Sequence, residues 1–124
     1  MQPDEDPHSD WARHMLRVLE VVDNQVRSLR KRWLIARYKR GTRKGTYFSI
    51  RGNIAEYPAD DRLDCPHVRT LVLAETPTRL KAVEDDLQER LIDWGYAMCD
   101  AAMRTWVDRA LPPPTGFPHP QTGV

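Results

Sequence analysis

Hydrolytic chemistry needs a nucleophile and a base, and this chain holds few of either: Ser9, Ser28 and Ser49, the cysteines Cys65 and Cys99, and four histidines, His8, His14, His67 and His119. A serine becomes a nucleophile only where a positioned base takes its proton. None of the three serines lies between glycines in the G-x-S-x-G turn that presents such a group, and the histidines are scattered, with His8 and His119 close to the two ends. No catalytic residue is therefore expected. Asp10 and His14, one helical turn apart, read as a surface pair. His67 beside Cys65, with Asp60, Asp61 and Asp64 close by, is the one cluster with metal-ligand chemistry. It lacks the four ligands at characteristic spacing that a zinc site needs, so neither a metal nor another cofactor is expected. Two cysteines make no disulfide framework; both read as reduced, and Cys99 as a small core residue.

Charge is the second source of chemistry. Between Asn24 and Ala55 stand ten Lys or Arg residues and no Asp or Glu, whereas the whole chain has a formal net charge of +1. Clustered positive charge suits anionic lipid head groups or nucleic-acid phosphates, and Arg27, Arg30, Lys31 and Arg32 are the candidate contacts to an anionic surface. No aromatic residues interleave at a spacing that would stack bases, so nucleic acid is not an expected partner. A solvated helix face, or a surface that pairs with acids of another part of the protein, explains the same residues without a ligand. Asp23 is placed to pair with Arg27 one turn on, worth a few tenths of a kcal/mol.

These residues need elements to hold them. Ser9 or Asp10 can cap a helix over residues 11–40, which Gly41 ends with a left-handed residue. Trp11, Met15, Val18 or Leu19, Val22, Val26, Leu29 and Trp33 recur at intervals of three and four and share one face. At ~1.5 Å per residue this helix spans about 45 Å, more than one small domain covers with its own core, so it calls for a larger body to lie on. Residues 46–50, Thr-Tyr-Phe-Ser-Ile, read as a short strand, residues 52–67 as mostly loop, and residues 70–74 as a strand or a helical turn. A second helix spans residues 82–109, with Glu84, Asp85 and Asp86 at the positive end of its dipole. Its small residues, Gly95 among them, predict a flat strip against which another backbone comes close. Five prolines from Pro112 to Pro120 then forbid further helix, leaving residues 111–124 as an extended tail. Residues 1–9 form an acidic, flexible start, and residues 10–110 the body.

The motifs share an order. Asp23-Asn24-Gln25-Val26-Arg27-Ser28-Leu29-Arg30-Lys31-Arg32, then Gly45-Thr46-Tyr47, then Thr76-Pro77-Thr78-Arg79-Leu80, then Trp94-Gly95-Tyr96-Ala97-Met98-Cys99-Asp100-Ala101-Ala102 resemble, in that order, the C-terminal part of bacterial patatin-like phospholipases, over roughly residues 3 to 118. Two positions depart from that pattern: Asp93 stands where relatives usually carry Asn, and Phe48 where they tend to have Trp. The resemblance implies an α/β fragment, predominantly helical, cut from a lipid acyl hydrolase. It implies a serine in G-x-S-x-G and an aspartate in D-G-G or D-G-A, neither of which occurs here, with no cofactor for the serine chemistry. It also implies a missing N-terminal catalytic part as partner, no activity of the chain by itself, and self-association through surface that part would cover. The rival expectation is a small independent helical module that binds anionic lipid or another acidic partner through residues 27–51. No run approaches the ~18 apolar residues of a membrane span, and the acidic start lacks the basic and apolar parts of a secretory signal. The expected location is therefore the cytoplasm or the membrane periphery.

Overall fold

A computed structural model describes residues 10–77 and 81–124. His8, Ser9 and the rest of the acidic start lie outside the described residues, as do Thr78, Arg79 and Leu80 of the Thr76 to Leu80 motif. The chain is predominantly helical: α1 spans Trp11–Lys39, α2 His67–Ala74 and α3 Asp85–Trp106, with one 3-10 turn at Ile54–Glu56. It divides into two compact units, residues 1–43 and residues 44–124.

The first unit is α1. Asp10 starts it, its carboxylate accepting the Ala12 N–H at 3.1 Å. The helix ends one residue short of the expected Arg40, which caps it by donating its N–H to Ala36 O. Gly41 then turns left-handed, at φ 70°, the conformation a glycine adopts without strain. Asp23 pairs with Arg27 at 2.8 Å, as their spacing predicts. No α1 residue is buried, and the apolar face from Trp11 to Trp33 is exposed along its whole length.

The second unit has a core. Trp94, Ala97, Met98 and Ala101 of α3 meet Ile54, Cys65, Leu73 and Val124 there, with Leu63, Leu87, Leu91 and Phe117 packed around them. The Trp94 indole N–H, which needs a partner once the ring is buried, donates to Ile50 O at 3.0 Å. The helix begins at Asp85 rather than 82, because Glu84 is still extended (φ −58°, ψ 142°) and Gln88 reaches back to the Val83 carbonyl. It ends at Trp106 rather than 109, where Asp108 accepts from the Ala110 N–H and starts a turn.

Three expectations are corrected here, and the open choice at residues 70–74 is decided. Residues 46–50 do not pair into a sheet, and no strand occurs among the described residues; Tyr47, Phe48 and Ile50 are exposed, and β-propensity without a neighbouring strand to pack on stabilises nothing. Residues 70–74 are helical. Thr70 and Leu73 are buried while Val68 and Val72 face outward, and the Thr70 hydroxyl donates back to His67 O at 3.0 Å; a burial period of three is a helix's, not a strand's. Gly95 faces outward with nothing within 4 Å of where a Cβ would sit, and the close approach falls at Gly52 instead, where a Cβ would meet Met98 Cε at 2.8 Å and Ser49 O at 3.1 Å. Cys99 is exposed, and Cys65 is the core thiol.

The tail is extended only in part. Proline prevents helix, but the chain turns back over α3: His119 binds Asp93, Thr122 donates to Glu89, and Arg69 donates to the Val124 carbonyl at 3.1 Å. Val124 thereby completes the core.

Candidate functional site

An open cavity of about 680 Å³ is bounded by residues 53–55 and 59–67. Its walls carry the metal candidates Asp60, Asp61, Asp64, Cys65 and His67. Among the described residues no three His, Cys, Asp or Glu side chains converge to hold a metal ion. The geometry explains why. Arg62 folds inward to donate to Tyr57 O and Ala59 O, Arg104 takes Asp60 O at 2.5 Å, and Cys65 lies in the apolar core beneath. Burial, with Asp64 and Asp93 adding to it, pushes the Cys65 thiol up to about 12. A thiol held protonated is neither a nucleophile nor a metal ligand at neutral pH.

Arg104 ties the loop that bounds this cavity to α3. Its guanidinium makes a forked contact with Asp100, Nε at 3.0 Å to both carboxylate oxygens and Nη2 at 2.6 Å to one of them. Both partners are nearly covered, at 8% and 15% side-chain exposure. The hydrogen bonds that Arg104 donates to Asp100 raise the Arg104 pKa, and desolvation opposes them.

Asp93 and His119 form the arrangement that most resembles chemistry. Asp93 is fully buried, and its Oδ1 accepts both the His119 backbone N–H and ring Nδ1, each at 3.0 Å. A carboxylate on one ring nitrogen is how a catalytic histidine is oriented. What is absent is the third member, since among the described residues no serine or cysteine is hydrogen-bonded to this ring. Ser28 lies on α1 and Ser49 in the turn before Gly52, both exposed, and Cys65 is held as the thiol. The dyad fastens the tail to α3.

Arg27, Arg30, Lys31 and Arg32 are all exposed on α1. Arg27 is engaged with Asp23 and Arg32 with Ser28 O at 3.4 Å. Arg37 lies over the Trp33 ring at 3.8 Å, a contact between cation and aromatic face. The basic segment divides between the two units, Arg27 to Arg43 in one and Lys44 and Arg51 in the other.

Asp93, His119 and Gly52 carry roles that sequence reasoning missed. An acid inside Leu91-Ile92-Asp93-Trp94 signals a buried polar group, but nothing local points to a partner 26 residues on. The Asp100 and Arg104 pair was legible, at i,i+4 with the acid first. No family model, no curated protein and no solved structure matches the chain.

Proposed function

We propose that this chain is the C-terminal segment of a patatin-like phospholipase, a piece of a lipid acyl hydrolase without hydrolytic activity of its own. The observation that carries the reading is the set of four motifs in family order, ending in the Trp94 to Ala102 run. Two structural facts support it. That run forms the centre of the core in the second unit, so its unusual residue order has a packing role. The exposed apolar face of α1 is also the kind of surface a larger body covers.

The test has two arms. The purified chain is expected to hydrolyse neither phospholipid nor p-nitrophenyl acyl esters above buffer, because no base is positioned on any described serine. Fused behind a patatin-like catalytic part that carries G-x-S-x-G and D-G-G but has lost its own C-terminal segment, the chain is expected to restore ester hydrolysis. Serine-dependent turnover by the chain alone, or a fusion as inactive as the truncated catalytic part, overturns the reading.

The exposure of Arg27, Arg30, Lys31 and Arg32 favours a second reading, an independent module that binds anionic lipid through its basic segment. Co-sedimentation with phosphatidylserine vesicles that is lost when these four residues are changed to Gln would support it. Among the described residues no helix is long and apolar enough to cross a membrane, so such binding is interfacial.

A further inference from the structure

We draw no further inference here: the strongest candidate, the exposed apolar face of α1 from Trp11 to Trp33, carries none because nothing in the structure shows what covers it.

Discussion

Changing Arg104 to Ala removes a guanidinium that forks onto Asp100 and donates to the Asp60 carbonyl, in a residue only 7% exposed. Were the pair on the surface, its loss would cost about 1 kcal/mol or less. Breaking a buried pair from one side costs ~3 to 5 kcal/mol, because the remaining charge stays desolvated. Asp100 keeps a little solvent at 15% exposure, which places the expected cost near the lower figure, at about 3 kcal/mol. For a unit of roughly 80 residues that lowers the melting temperature by ~12 to 24 °C. Thermal melts followed by far-ultraviolet circular dichroism read the change. Salt supplies the control, since a covered pair is screened little, and the expected loss is nearly the same at low and high ionic strength. The joint change Arg104→Met with Asp100→Leu removes both charges together and is expected to recover most of the loss. If Arg104→Ala costs under about 1 kcal/mol, or its cost vanishes in high salt, the pair behaves as a surface pair and the anchoring of the cavity loop to α3 is wrong.

Three further outcomes follow from the same core. At pH 8 a maleimide is expected to modify Cys99 and spare Cys65 in the native protein; equal labelling would contradict the burial of Cys65. Because the folded Cys65 thiol is raised from 9.0 to about 12, the unfolded chain releases its proton first, so the stabilisation is whole below pH 9 and is lost as pH rises through about 12; Cys65→Ala should flatten this part of the stability profile, which urea titrations at pH 8 to 11 compare directly. Gly95→Leu is expected to raise stability by about 0.5 to 1 kcal/mol through helix propensity at an open site, whereas Gly52→Ala is expected to cost about 1 kcal/mol where its Cβ presses on Met98 and Ser49; melting temperatures that move in the opposite directions would refute both placements.

What the sequence reveals here depends on the range of the interaction. The α1 helix was legible nearly to the residue, since Asp10, Gly41 and the three-and-four spacing are local signals. The presence of α3 was equally clear, but its small-residue strip was read on the wrong side. Ala97, Ala101 and Ala102 are buried while Gly95 and Cys99 point outward, and five small residues on one helix cannot by themselves say which of them a neighbour meets. The segment 46–50 has strand composition, but a strand exists only when a partner does, and that is a property of the rest of the chain. The Asp93 and His119 dyad was hidden for a related reason. His119 sits among prolines, where composition alone predicts a tail, and only the fold brings it back to α3. At the candidate site the sequence brings Asp60, Asp61, Asp64, Cys65 and His67 close together along the chain, but that Cys65 turns into the apolar core depends on the distant residues it packs against.

The burial of Val124 bears on how this protein comes into being. Synthesis proceeds from the N-terminus at ~5 to 20 residues per second, and early segments ordinarily fold while later ones are still being made. The α1 helix needs nothing downstream and can form as soon as it emerges. The core of the second unit cannot follow that order, because one of its buried side chains is Val124 and the Arg69 guanidinium waits for that residue's carbonyl. Until residue 124 has been added and is free to swing back over α3, Trp94, Met98 and Leu73 line a core with one wall missing. The nascent chain thus presents two apolar surfaces in succession, the stripe of α1 and then this unfinished core, and the second closes only when translation has passed Val124.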